Sequence, residues 1–252
     1  MLVRLKVAGI VIVILILLVY LIILPAIDSM RLRAIRMQCT NNLKIIALVL
    51  DSYHSQFNSY PPAYTVDADG KPLHSWRVLV YKYAYLGNRQ IAEEIRLDEP
   101  WDSEYNKQFH NQMPSEFRCP ITVMNFRSDR ETQEKWKTTM TAYQVVVGPE
   151  TLFSGSQCKT LDDVTRKKSE TIMVVESTVG VCWMAPLDLP IEALEHGVIP
   201  AKSGILGIGG YHNGGVNVVM VDGSTEFIPN SKSPEDVRKL KEQMQIAESK
   251  IE

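Results

Sequence analysis

Residues 7–24 read VAGIVIVILILLVYLIIL, 18 consecutive positions without a charge. As a helix rising about 1.5 Å per residue, the run spans roughly 27 Å, close to the hydrocarbon thickness of a bilayer. A helix satisfies its own backbone hydrogen bonds, as lipid demands of a single open segment that crosses it. The stretch predicts a transmembrane anchor over residues 1–27 and a body over 28–252 outside the bilayer. A cleaved secretory signal competes with this reading, because Arg4 and Lys6 supply a basic start. The apolar run is longer than the roughly 7–15 residues of such signals, and Leu24-Pro25-Ala26 offers no small-x-small cleavage site. Arg31, Arg33 and Arg36 follow the run, so basic residues flank both ends and do not fix its orientation.

Outward from the run, the pattern stays helical. Ile27, Met30, Ala34, Ile35, Met37, Leu43, Ile46, Leu50 and Tyr53 recur at helical spacing among Arg31, Arg33, Arg36, Asn41 and Lys44. One helix is expected over residues 5–56, kinked at Pro25, its amphipathic half (28–56) laid on a later sheet. Pro61-Pro62 stops it. Residues 60–75 are turn-rich, 76–85 read as a helix, and 93–109 read as helical pieces broken at Pro100. Strands are expected over 142–147, 171–176, 216–221 and 225–228, the last two forming a hairpin around Asp222-Gly223. Ser233-Pro234-Glu235-Asp236 opens a terminal helix over 233–250, with Val237, Leu240, Met244 and Ala247 as its apolar side.

The body has the composition of an ordinary globule. Over 252 residues the net charge is -2 and 22% are charged, which gives no electrostatic case for nucleic acid. The five histidines, His54, His74, His110, His196 and His212, sit in no HExxH or nucleophile-elbow context. Six glycines crowd residues 204–215, but a strand follows them where a phosphate loop needs a helix, so they read as an adaptable loop. Asp67-x-Asp69-Gly70 resembles the start of a calcium loop, yet Lys71 stands where an oxygen ligand belongs, so a plain turn is expected. Tyr81, Tyr83, Tyr85 and Trp101 read as core or half-buried surface. His212 and Asp222 lie at opposite ends of one strand, roughly 30 Å apart if extended, so each is expected to shape a turn. Cys39, Cys119, Cys158 and Cys182 show no CxxC spacing and no nearby histidine in a zinc pattern. They permit two disulfides in three pairings, or four buried free thiols. No catalytic, cofactor or metal residue is assigned on these grounds.

The segments LPAIDSMRLRAIRMQCTNNLK, YHSQFNSYPPAY, HSWRVLV, PWDSEYNK, FRCP, YQVVVGPET, SETIMVVE, WMAPLDL and YHNGGVNVVMVDGSTEFI run along nearly the whole chain. In order and spacing they resemble a large planctomycete family of pilin-like proteins of unknown function. Its members carry a prepilin-type N-terminal helix and a C-terminal signature of His, nine residues, Asp-Gly, here His212, Asp222 and Gly223. The resemblance implies an α+β fold related to type IV pilins and type II secretion pseudopilins, a long bent N-terminal helix packed on an antiparallel sheet. It also implies an extracytoplasmic C-terminal domain and disulfides Cys39–Cys119 and Cys158–Cys182. The chain departs from prepilins at one point: Gly9 is the candidate cleavage glycine, and the fifth residue after it is Ile14, where prepilins carry Glu. That departure argues for a tethered relative that is not cleaved. The expected protein is therefore a non-enzymatic, single-pass protein of the bacterial inner membrane, N-terminus cytoplasmic. It would need no cofactor and would have a structural or protein-interaction role with pilin-like subunits or envelope proteins. A pseudopilin subunit and a tethered glycan-binding domain are the alternatives.

Overall fold

The computed structural model describes residues 2–84, 88–126, 128–201 and 205–247. It divides into two compact units, Met1–Gln38 and Cys39–Glu252. The helices are α1 (Leu2–Leu18), α2 (Leu24–Phe57), α3 (Trp76–Tyr83), α4 (Arg89–Glu94), α5 (Pro120–Asn125), α6 (Arg130–Thr138) and α7 (Pro234–Met244). The strands are β1 (Tyr64–Val66), β2 (Pro72–Ser75), β3 (Met140–Gln144), β4 (Val146–Val147), β5 (Ile172–Cys182), β6 (Leu189–Pro190), β7 (Gly215–Met220) and β8 (Thr225–Pro229).

From Leu2 onward the first unit is helical. Between α1 and α2 the ladder widens into a π-helical turn, Val19–Ile23, with the Leu24 N–H donating to the Val19 carbonyl. Pro25 follows directly and has no N–H for the carbonyl four residues back, so the wide turn sits where the α-ladder must adjust. Residues 9–34 are exposed without exception, and the apolar window has mean hydropathy 3.4 with none of it buried. Ile27, Met30 and Met37, assigned above to a sheet-facing stripe, are all more than half exposed. The buried stripe begins at Cys39.

In the second unit α2 buries Cys39, Leu43, Ile46, Ala47, Leu50 and Tyr53, the three-and-four spacing of one helix face. The helix ends where Asn58 takes the left-handed conformation, φ 54°, a common stop just past a helix. Its face lies on a four-stranded antiparallel sheet of order β3-β5-β7-β8. The Tyr143 hydroxyl of β3 donates to the Cys39 carbonyl at 3.4 Å, and the Thr40 hydroxyl donates to Asn217 Oδ1 of β7 at 3.5 Å. A long N-terminal helix against an antiparallel sheet is the pilin-like architecture expected from the resemblance.

The other sheet face carries an apolar cluster. Val216, Val218 and Met220 alternate along β7 and pack with Ile172, Val175, Leu194, Ile208 and with Leu240 and Met244 of α7. A register shift between Ile172 and Val174 lets Ile172 and Val175 share that face despite their odd spacing. Two small pairs complete the unit, antiparallel β1/β2 and parallel β4/β6.

Several boundaries moved. The turn-rich stretch before Trp76 is a hairpin, its Asp67 carboxylate accepting the N–H groups of Asp69 and Lys71 and Gly70 at φ 80°. That carboxylate already has backbone donors, so the plain-turn reading holds. The expected strand 142–147 breaks at Val145, whose N–H turns to the Asp188 carboxylate. The strand expected to end at Glu176 continues to Cys182, because β3 still offers it partners as far as Met140. The Asp222-Gly223 hairpin holds, with positive φ on Gly223 (79°) rather than on Asp222, whose carboxylate accepts the Ser224 N–H. Helix α7 starts at the Ser233 cap as expected but stops at Met244; Ala247 is exposed and Ile246 is buried in its place. Tyr85, Gly204 and residues 248–250 of the expected elements lie outside the described residues.

Candidate functional site

Four polar side chains meet in the space between α2 and the sheet. Cys39 opens the buried stripe of α2. Cys119 precedes α5 in extended conformation, and its carbonyl accepts the Thr122 hydroxyl at 2.6 Å. Glu176 follows the apolar residues 172–175 of β5, so strand alternation turns it away from the Val175 face and toward α2. His212 comes from the glycine-rich segment before β7. One ligand-type atom from each of Cys39, Cys119, Glu176 and His212 lies within 4.8 Å of the others, and all four residues are buried.

The contacts inside the cluster are close. Cys39 Sγ lies 3.2 Å from Cys119 Sγ, and His212 Nε2 lies 3.2 Å from Glu176 Oε1. The Cys119 thiol donates to Glu176 Oε1 at 3.6 Å. Glu176 Oε2 is held separately, accepting the Asn217 backbone N–H at 3.0 Å and its side-chain amide at 3.4 Å. The Cys119 hydrogen bond, joined by His212, lowers the Cys39 thiol to about 6 against the opposing effect of burial. Burial, then the neighbouring Cys39, pushes the Cys119 thiol well above its usual range. Burial alone would lower His212, but hydrogen bonds with Cys39 and Glu176 and their charges raise it to about 10. At both Cys39 and His212 the contacts inside the cluster thus outweigh burial and favour the charged form.

The glycine-rich segment, expected as an adaptable loop, is held on both sides. Ile208 bridges to Ser177 on one side and Val198 on the other, and the Gly209 N–H donates to the Glu176 carbonyl at 3.0 Å. A Cβ on Gly209 would fall 1.7 Å from the Ile199 carbonyl oxygen. Only a glycine lets the backbone pass there. This close passage delivers His212 into the core, where its Nε2 meets Glu176 Oε1. His212 and Asp222 are separated as expected, one buried before β7 and the other exposed after it.

The disulfides do not stand. Cys39 and Cys119 are adjacent but unbonded, since a disulfide brings its sulfurs to about 2.05 Å. Cys158 is exposed and Cys182 half-buried, both free thiols. Burial raises the Cys182 thiol against hydrogen bonds from the amides of Met184 and Ala185. Along the chain no histidine stands near the cysteines in a zinc pattern, yet in space His212 joins Cys39 and Cys119. Glu176 was missed altogether; a carboxylate closing an apolar strand pattern was its only sequence signal. Pro25 lies in the first unit.

The model of the family described as "Protein of unknown function (DUF1559)" matches residues 28–183, and the chain belongs to that family. The match includes Cys39, Cys119 and Glu176 and ends before His212, Asp222 and Gly223. No curated protein and no solved structure matches the chain.

Proposed function

We propose that this member of the DUF1559 family is a membrane-tethered, pilin-like protein of the cell envelope with a structural or protein-contact role and no catalytic activity. The observation that carries this reading is the uncharged run 7–24, helical and, where described, unburied by the protein itself. Leaving one Leu or Ile side chain in water rather than apolar surroundings costs about 1.5–3 kcal/mol, and over such a run the total is tens of kcal/mol. Lipid removes that cost. The resemblance of the C-terminal YHNGGVNVVMVDG to the His-x9-Asp-Gly signature supports placing the second unit outside the cytoplasm, with the N-terminus inside. The partners are then the inner membrane and pilin-like subunits or other envelope proteins.

Fractionation tests this. The intact chain is expected to stay with inner membranes through an alkaline carbonate wash. Arginine at the centre of a membrane helix costs about 2.5–3.5 kcal/mol, so the pair I14R and L17R should deplete the chain from that fraction. Wild-type chain recovered intact from the soluble cytoplasm sinks the reading. The helix-on-sheet architecture also favours a processed pseudopilin subunit. N-terminal sequencing separates the two, a mature chain starting after Gly9 supporting processing and one starting at Met1 rejecting it.

A further inference from the structure

The tether and the pilin-like architecture make no use of the buried polar cluster, which unites segments 80, 57 and 36 residues apart in sequence. All four ligand atoms lie within 4.8 Å of one another, and three of the six separations are close to the edges of a coordination shell. Tetrahedral zinc, with Zn–S near 2.3 Å and Zn–N and Zn–O near 2.0–2.2 Å, needs ligand edges of about 3.8 Å (S···S), 3.6 Å (S···O) and 3.4 Å (N···O). The corresponding separations are 3.2, 3.6 and 3.2 Å. The sulfurs need only part by about half an ångström, whereas a disulfide would have to draw them together by about 1 Å and would engage two of the four groups.

We propose that Cys39, Cys119, Glu176 and His212 form a buried four-ligand site for a thiophilic divalent cation, with zinc the best match. Two sulfurs with an imidazole exclude the hard cations calcium and magnesium, which take oxygen shells. With four protein ligands no coordination position stays open, the arrangement of structural rather than catalytic zinc. Asn217 acts as a positioning residue: it binds Glu176 Oε2 and leaves Oε1 turned toward the sulfurs and His212 Nε2. The cation takes the two sulfurs as thiolates and His212 as a neutral imidazole, so whatever protons these groups carry without it leave to solvent, and it bolts α2, the start of α5, β5 and the segment before β7 to one point. The close passage at Gly209 keeps His212 within reach.

The test uses the full chain in detergent, from cells grown with zinc and purified without chelator. Elemental analysis is expected to find one zinc per chain. Growth in cobalt should give a protein with thiolate-to-cobalt charge transfer and the visible bands of tetrahedral Co2+. The C39S/C119S variant should lose both signals, and C158S/C182S should keep them. If C39S/C119S does not fold, two readouts on folded protein remain. Asn217→Ala should weaken zinc retention about 10–100-fold against a competing chelator. Alkylation of Cys39 and Cys119 should also become faster when a chelator strips the folded chain of zinc and slow again when zinc is restored, with Cys158 unaffected; rates that ignore the chelator count against the site. Folded wild-type chain without stoichiometric metal, or a Cys39–Cys119 disulfide found by mass spectrometry, overturns the proposal. Loss of membrane association with the metal retained would instead refute the tether and leave this site standing.

Discussion

His74 shows how one buried residue sets a pH response. Its Nε2 faces the carbonyls of Arg96 at 3.0 Å and Glu99 at 2.7 Å, so the neutral ring carries its proton there. Nδ1 is buried with no hydrogen-bond partner. A second proton would sit on that nitrogen without a receiver, and burial accordingly lowers the His74 pKa from its usual 6.5. The unfolded chain binds the proton at higher pH than the folded one, so stability falls as pH drops below about 6.5 and levels off beneath the folded value. His212 is shifted upward, so its window lies above 6.5. Urea midpoints of the full chain in detergent should therefore decline between pH 7 and pH 5.5, and His74→Gln should flatten that decline. An unchanged slope in the variant would rule out His74 as the source. Sequence showed a histidine beside an apolar run; the two carbonyls come from residues 22 and 25 positions later, so its role was not legible.

Elements were legible where local chemistry decides them. The Ser233 hydroxyl accepts the Asp236 N–H at 3.1 Å with Pro234 next in the chain, which the residue types alone announce. Removing the cap with Ser233→Ala should cost about 1 kcal/mol in chemical denaturation. A change within error would show that packing of Leu240 and Met244 alone holds α7. The Asp222-Gly223 turn and the alternation along β7 were readable for the same reason. Strand ends were less so: β5 runs on to Cys182 because β3 lies beside it, a fact about the neighbour that its own sequence does not contain. The glycine-rich segment likewise carries φ freedom in its composition, whereas its confinement beside Ile199 is tertiary.

At the scale of the molecule, the fold closes around a second buried polar device. Arg77 of α3, fully buried, pairs with Asp188 at 2.6 Å and donates to the Tyr143 carbonyl, while Asp188 also accepts the Val145 N–H and the Trp76 indole N–H. This knot joins α3 to the break between β3 and β4. Breaking one side leaves a buried charge unpaired, so Arg77→Met should lower unfolding stability by about 3–5 kcal/mol. The double change Arg77→Met with Asp188→Asn should recover much of that loss, because Asn keeps an acceptor for Val145 and Trp76 and carries no charge. Equal losses in single and double variants would refute the charge argument. By itself the sequence determined the apolar N-terminal helix, its amphipathic continuation and the terminal hairpin, because each rests on periodicity or turn chemistry within a few neighbouring residues; the α+β class came from the family resemblance. Only the tertiary structure decided that two thiols, a carboxylate and an imidazole share one buried point and that the sulfurs stay unbonded. Side chains dozens of positions apart acquire a distance only when the sheet and α2 pack together.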